Sequence, residues 1–250
     1  MDGWPHPLIF AHRGASAYAP ENTLSAFEIA FKQGAHAIEL DAKLSADGQV
    51  VVIHDATVNR TTDGKGRVAN LELAALRELD AGSSFSEEFR GEKIPILPEV
   101  FELVVGTRLI INVELTNYSN PRDTLVDQVC GLVRRFGLEK NVLFSSFLPA
   151  NLVKARTLLP DVPQGLLAMR GWLGGWARSF GFNFGQYDAL HPHLRDVTPR
   201  RITRVHRLGR RVHVWTVNDI KDIRRLFKWG VDGIFSDDPL VALEALKTQA

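Results

Sequence analysis

Eight short apolar runs, separated by stretches of helical periodicity, recur along this chain, and that alternation restricts its fold more than any other feature. The runs are LIFAH (8–12), HAIELDA (36–42), RLIINVEL (108–115), NVLFSS (141–146), QGLLAM (164–169), DALHP (188–192), RRVHVWTV (210–217) and VDGIFSD (231–237). Their nearly continuous apolar character suits strands buried on both faces of a parallel sheet. Between them, stretches such as NTLSAFEIAFKQG, TLVDQVCGLVRRFG and DIKDIRRLFKWG are amphipathic, and several open with Asn, Asp or Pro and close at Gly. An open doubly wound sheet accommodates the same alternation. Eight units within 250 residues favour a closed (β/α)8 barrel spanning residues 1–250 as one domain. The first strand runs into HRGASAYAPEN, which lacks G-x-G-x-x-G, so dinucleotide binding is disfavoured. Residues 43–95 break the pattern with a strand, VVVIH, a turn-rich segment and one short helix. This reads as a small insertion after the second barrel strand, on the face where barrels carry their active sites.

Charge narrows the partners. Thirty Lys and Arg against 29 Asp and Glu leave a net charge of +1, which gives no global attraction to nucleic acid or to an anionic membrane. The Arg-rich stretch from Arg195 to Arg211 alternates with apolar residues and reads as a solvated helix face. A single cysteine, Cys130, excludes an internal disulfide and a cysteine metal site; its helical spacing with Val126 and Val133 suggests a buried structural thiol. No basic segment followed by an apolar one opens the chain, and no run of 18 apolar residues occurs, so a cytoplasmic protein without a membrane span is expected. The sequons at Asn59 and Asn117 carry no meaning in that setting.

The chemistry-bearing residues gather at predicted strand ends. His12 and Arg13 close the first strand, and neither belongs in a core without partners, so they are either satisfied structurally or face a site. Glu39 and Asp41 lie two apart on the second strand and share a face, opposite Ile38 and Leu40. On the third, Glu114 shares a face with Asn112 and Thr116. Each carboxylate alone could pair with a nearby Arg or Lys. Three at matching heights on adjacent strands point to a metal, and all-oxygen ligation suits Mg2+ or Ca2+ better than Zn2+. Asp47-Gly48 signals a two-residue hairpin; with Ala46 facing Gln49, counting back sets His54 opposite Asp41. A dication against three carboxylates leaves one surplus negative charge, which Arg13 offsets. A phosphate ester bridging metal and Arg13 would then lie between two histidines able to serve as base and acid.

AHRGASAYAPENTLSAF, AIELDAKLSADGQVVVIHD, NRTTDGKGRV and NVEL together resemble the glycerophosphodiester phosphodiesterases, and the resemblance extends to FSSF (144–147), VWTVN (214–218) and GVDGIFSDDP (230–239). It implies a TIM barrel that hydrolyses glycerophosphodiesters to glycerol phosphate and an alcohol. It further implies Glu39, Asp41 and Glu114 as ligands of one divalent metal, His12 and His54 as acid and base, and Arg13 on the phosphate. The insertion would cover the glycerol side of the site. Many members carry a Lys two residues after the third carboxylate, whereas this chain has Thr116, one cation fewer.

Other positions admit two readings. Glu21 follows Pro20 in a loop above the site and is a candidate substrate contact, and Asn22 is placed as a helix N-cap. Trp215 and Phe147, near strand ends, could wall the substrate or pack in the core. Trp172, Trp176 and Phe180 repeat every four residues, a spacing that favours core or subunit interface over a ligand box. His191 and His193 receive no role. A small-molecule glycerophosphodiester is the expected partner. The alternatives are a lysophospholipase D-type enzyme, whose longer groove could only lie in the Trp172–Phe184 segment, and a non-catalytic phosphate-ester binding protein.

Overall fold

The computed structural model describes residues 1 and 3–248. Its elements are β1 (Leu8–Ala11), α1 (Leu24–Lys32), β2 (Ala37–Leu44), β3 (Val50–Val52), α2 (Leu73–Glu78), α3 (Leu97–Val104), β4 (Ile110–Leu115), α4 (Leu125–Phe136) and β5 (Val142–Ser146). They continue as α5 (Pro149–Leu158), β6 (Gln164–Ala168), the single turn α6 (Phe182–Phe184), β7 (Ala189–Pro192), α7 (Pro199–His206), β8 (Arg211–Val214), α8 (Ile220–Trp229), β9 (Gly233–Ser236) and α9 (Pro239–Lys247). Eight strands pair in parallel in the ring β1-β2-β4-β5-β6-β7-β8-β9, and β9 pairs back to β1. The fold is a (β/α)8 TIM barrel. Pro149, Pro199 and Pro239 open α5, α7 and α9, where a missing N–H costs nothing. Gly137 and Gly230 close α4 and α8 in left-handed backbone at φ 67° and 81°.

Strand parity sorts the side chains. Ile9, Ile38, Leu40, Ile111 and Val113 point outward into one large apolar layer with the helices, where Cys130 is also buried beside Val126 and Val133. The opposite parity fills the barrel: Leu8, Phe10, Ala37, Ile110, Leu143 and Phe235 form an inner plug. Continuing that parity upward carries Glu39, Asp41, Asn112 and Glu114 into the barrel mouth, with Asp41 directly beside Glu114 and Glu39 beside Asn112. The chemistry therefore rests on a packed apolar floor.

The insertion differs from its predicted register by one residue. β3 pairs antiparallel to β2 as Ala42 with Val52 and Leu44 with Val50. The loop thus holds three residues, Ala46, Asp47 and Gly48, rather than two. Gly48 adopts φ 79° and its N–H returns to Ser45 O, the turn-plus-left-handed arrangement that three-residue hairpins use. Asp41 consequently stands at the level of Ile53, whose N–H it accepts at 2.9 Å, and not opposite His54. Beyond the hairpin, Val51, Ile53, Val58, Val68, Leu76, Ala81 and Ile94 make a small core of their own, which fixes the loop from which His54 projects.

One polar pair is sealed within the barrel. His191 and His213, both wholly buried on neighbouring strands, meet at 3.1 Å between Nε2 and Nδ1. Gly165 makes room for them: a Cβ there would lie 2.2 Å from His191 Nε2. Burial pushes the His191 imidazole down to about 3, and burial with the neighbouring His191 depresses His213 too. Both are therefore neutral in the folded protein, while the unfolded chain takes up protons near their ordinary value. Stability attributable to the pair is full above about pH 6.5 and is lost as pH falls toward the folded values. The double variant His191→Gln/His213→Gln should flatten the decline of the denaturation midpoint between about pH 6.5 and 4; an unaltered slope would show that the pair is not its source.

Candidate active site

Three carboxylates meet in the barrel mouth. Glu39, Asp41 and Glu114 each offer an oxygen within 4.8 Å of the others, and Glu39 and Asp41 are 3% and 1% exposed. At that spacing, with an effective dielectric constant of about 20, each like-charged pair repels by roughly 3–4 kcal/mol. Three ionised pairs would cost on the order of 10 kcal/mol, as much as a whole domain's stability. Burial, then Asp41 and Glu114, push Glu39 well above its usual range. Burial and Asp41 push Glu114 up to about 8, against the downward pull of Tyr118, Lys43 and Arg13.

Each carboxylate has one oxygen fixed by the protein. Glu39 Oε2 accepts Arg13 N–H at 2.8 Å, Asp41 Oδ2 accepts Asn22 Nδ2 at 2.9 Å, and Glu114 Oε1 accepts the Tyr118 hydroxyl at 2.7 Å. That leaves Glu39 Oε1, Asp41 Oδ1 and Glu114 Oε2 for a ligand. Asn112 adds a fourth oxygen: its Nδ2 donates to Ser145 Oγ at 2.8 Å, while its buried Oδ1 has no partner. An all-oxygen, over-charged, desolvated set of this kind fits a hard dication.

Arg13 and Asn22 both adopt left-handed backbone, φ 56° and 59°, and Asn22 N–H closes the loop onto Arg13 O at 2.9 Å. That turn aims the Arg13 backbone N–H at Glu39 and sets its Nε 3.6 Å from Asp41. Glu21 spans two arginines, accepting Arg13 at 2.9 Å and Arg60 at 2.7 and 2.8 Å. Burial alone would raise its pKa, but the two guanidinium groups bring it below the usual range, so it stays ionised and holds both. Asn22 is not the helix cap expected from PENTLS; Thr23 caps α1 by accepting Ala26 N–H, and Asn22 is buried against Asp41 instead.

The two histidines are built alike. His12 Nδ1 donates to Asp237 Oδ1 at 2.6 Å, and His54 Nδ1 donates to Asp55 Oδ1 at 2.7 Å. Burial tends to raise Asp237, yet His12, Asn218 and Ser16 hold it below the carboxylate range. Arg60 holds Asp55 well below it, with His54 assisting against partial burial. Both aspartates are thus ionised acceptors that fix the proton on Nδ1 and leave Nε2 as the ring nitrogen available to the cavity. Register counting failed for His54, but it reaches the site by another route, since the chain bends inward after β3.

One cavity of about 100 Å3 brings these groups together, lined by His12, Arg13, Glu39, Asp41, His54, Asn112, Glu114 and Ser145, with Phe147, Leu167 and Trp215 as apolar wall. Trp215 is held by an indole N–H to His191 O at 2.7 Å and by edge contacts with Phe147 and His193. Glu21 lies outside this cavity and lines an adjoining one with His12 and Arg13.

The comparisons agree with the geometry. Residues 12–241 match the model of the glycerophosphoryl diester phosphodiesterase family. A glycerophosphodiester phosphodiesterase of Caldanaerobacter subterraneus is 37% identical over 232 residues, 93% of this chain and 94% of the relative. This chain belongs to the glycerophosphodiester phosphodiesterase family. Its class is that of a phosphoric diester hydrolase. Another such enzyme, from Bacillus altitudinis, is 36% identical over 92% of the chain. A phosphodiesterase of Oleispira antarctica, solved with its product sn-glycerol-3-phosphate, superposes with a TM-score of 0.88 at 31% identity over 97% of each chain.

Thr116, where many relatives of this family carry a Lys, has a cation from the next strand beside it. Lys43, two residues past Asp41, brings its Nζ to Thr116 Oγ1 at 2.6 Å and to Thr116 O at 3.3 Å. Burial lowers its pKa, while Asp41, Glu114 and Asp55 act to raise it. Asp237, Asn218, Asp55, Arg60, Tyr118 and Lys43 were not singled out in the sequence. Asp237, Asn218, Asp55, Lys43 and Arg60 all stood in the quoted runs, GVDGIFSDDP, VWTVN, AIELDAKLSADGQVVVIHD and NRTTDGKGRV, whereas nothing local marks Tyr118.

The carboxylate cluster makes a stability prediction. Saturating Mg2+ or Ca2+ should raise the melting temperature of metal-stripped protein by about 5–10 °C. Glu39→Gln should lose most of that response and, without metal, melt no lower than the parent because a repulsion is gone. Differential scanning fluorimetry reads both; an undiminished response in Glu39→Gln would remove Glu39 from the metal set.

Proposed function

We propose that this chain hydrolyses glycerophosphodiesters to glycerol 3-phosphate and an alcohol by acid–base catalysis between His12 and His54. The diester would be held at one divalent cation, Mg2+ or Ca2+, bound by Glu39, Asp41 and Glu114. The observation that carries this reading is the pair of Asp-oriented imidazoles lining the same small cavity as the carboxylate trio. The product held by the Oleispira antarctica relative supports glycerol phosphate as the retained half.

The bound cation would supply Lewis-acid polarisation of the phosphoryl oxygens. Arg13, fixed by Glu21 and next to Asp41, offers its guanidinium to a phosphoryl oxygen. One histidine takes at Nε2 the proton of the attacking oxygen as the new O–P bond forms. The other gives its Nε2 proton to the alcohol oxygen as the old P–O bond breaks, so the pair ends with its protons exchanged. The attacking oxygen is water, or the glycerol 2-hydroxyl, in which case water opens the resulting cyclic phosphate in a second step with the two histidines' roles reversed. Asp237 and Asp55 hold Nδ1–H throughout and stabilise whichever ring is cationic. Phe147, Leu167 and Trp215 provide an apolar wall for the carbon skeleton of the glycerol or the leaving alcohol.

His12→Ala and His54→Ala should each lower kcat on glycerophosphocholine by about 10²–10⁴ without changing the far-ultraviolet circular dichroism or the melting temperature greatly. Asp237→Asn should give a smaller loss, because it leaves the ring in place but weakens its orientation. Retention of most activity in both alanine variants would refute the acid–base roles.

A further inference from the structure

The segment between β6 and β7 turns apolar side chains to water. Met169, Trp172, Leu173, Trp176, Phe180 and Phe184 are all exposed, Trp172 at 88% and Phe184 at 76%. This excludes the core packing expected from the four-residue spacing. The segment is nonetheless held firmly. The Arg178 guanidinium reaches Met169 O and Gly171 O, pairs with Asp196 at 3.1 Å, and Asp196 also accepts Gly171 N–H at 2.8 Å. Exposed Trp and Phe on a fixed backbone make an apolar surface with no cover among the described residues.

Directly beside it lies a cavity of about 240 Å3 lined by Arg178, Arg200, Arg201 and Arg204, with Ser179, Phe182, Asn183 and Thr198 but no carboxylate. Among the described residues, Arg200, Arg201 and Arg204 pair with no Asp or Glu. Burial, then the neighbouring Arg178 and Arg204, depress Arg201 against the opposing pull of Asp196, which is itself paired with Arg178. The Arg-rich stretch is therefore only partly a solvated helix face; one side of α7 and the aromatic segment share a cavity.

We infer that this aromatic segment and its arginine-lined cavity form a docking surface for an anionic phospholipid bilayer, with the apolar side chains entering the interface and a lipid phosphate taken up among the arginines. Trp and Phe favour the boundary between headgroups and acyl chains, and Arg adds attraction to anionic lipid. Charge decides against a second copy of this chain: the segment that carries the exposed aromatics also contributes Arg178, Ser179, Phe182 and Asn183 to the cavity, so a two-fold contact would bring arginine clusters toward each other. The net charge of +1 is no objection, since the attraction is local. The segment begins two residues past Leu167, at the wall of the active-site cavity, so docking would hold that mouth near the lipid surface.

Co-sedimentation with vesicles tests this. The full chain should pellet with mixed phosphatidylcholine and phosphatidylglycerol vesicles and much less with phosphatidylcholine alone, and rising salt should release it. Trp172→Ser/Trp176→Ser and Arg200→Glu/Arg204→Glu should each weaken binding by at least about tenfold. Turnover of glycerophosphocholine in solution should be unchanged in both; that control reports on the catalytic reading separately. Failure to pellet, or binding that neither variant alters, would overturn the inference. So would stabilisation by inorganic phosphate without vesicle binding, which would mark the cavity as a soluble-anion site. A concentration-dependent dimer abolished by Trp172→Ser/Trp176→Ser, with no vesicle binding, would assign the patch to self-association.

Discussion

Repulsion among three crowded carboxylates, two of them buried, is the constraint around which this barrel mouth is organised. Glu39, Asp41 and Glu114 sit where strand parity and parallel register turn them into the barrel mouth, above an apolar plug. Nearby donors answer part of that repulsion, each fixing one oxygen: the Arg13 backbone, the Asn22 amide and the Tyr118 hydroxyl. The remaining oxygens converge with Asn112 on a shared space. The left-handed turns at Arg13 and Asn22 are part of the same arrangement, because ordinary backbone there would not aim both groups at the cluster.

The histidines illustrate orientation by carboxylate on two unrelated loops. Asp237 reaches His12 from the end of β9, and Asp55 is the residue following His54. Glu21 and Arg60 join the two halves, since Glu21 binds Arg13 on the barrel and Arg60 on the insertion, and Arg60 in turn grips Asp55. A perturbation in the insertion would therefore be felt at both Arg13 and the His54 imidazole. Lys43 and Thr116 show the same economy. Lys43 reaches across from β2 to the Thr116 hydroxyl, and the nearby carboxylates oppose the cost of its burial.

Much of this was legible in the chain because strand parity is a strict period of two. The eight barrel strands, the shared face of Glu39 and Asp41, and the level of Glu114 all follow from it. Hairpin register was less secure, because Asp-Gly serves a three-residue loop as readily as a two-residue one when Gly takes the left-handed position. His54 still arrives, for its place depends on the bend after β3 rather than on pairing. Asn22 was misread because a capping residue and its neighbour, Thr23, compete for one role, and only the three-dimensional position of Asp41 decides between them. Trp172 and its companions carry a helical period that says which side chains align but not whether that face meets protein or water. A long-range partner such as Tyr118 leaves no local trace.

The most direct test of the central claim is glycerol 3-phosphate release from glycerophosphocholine by metal-stripped protein, before and after adding back Mg2+ or Ca2+. The account predicts no turnover without metal and recovery with one of the two ions. Full turnover in the stripped protein, with no response to either ion, would contradict it.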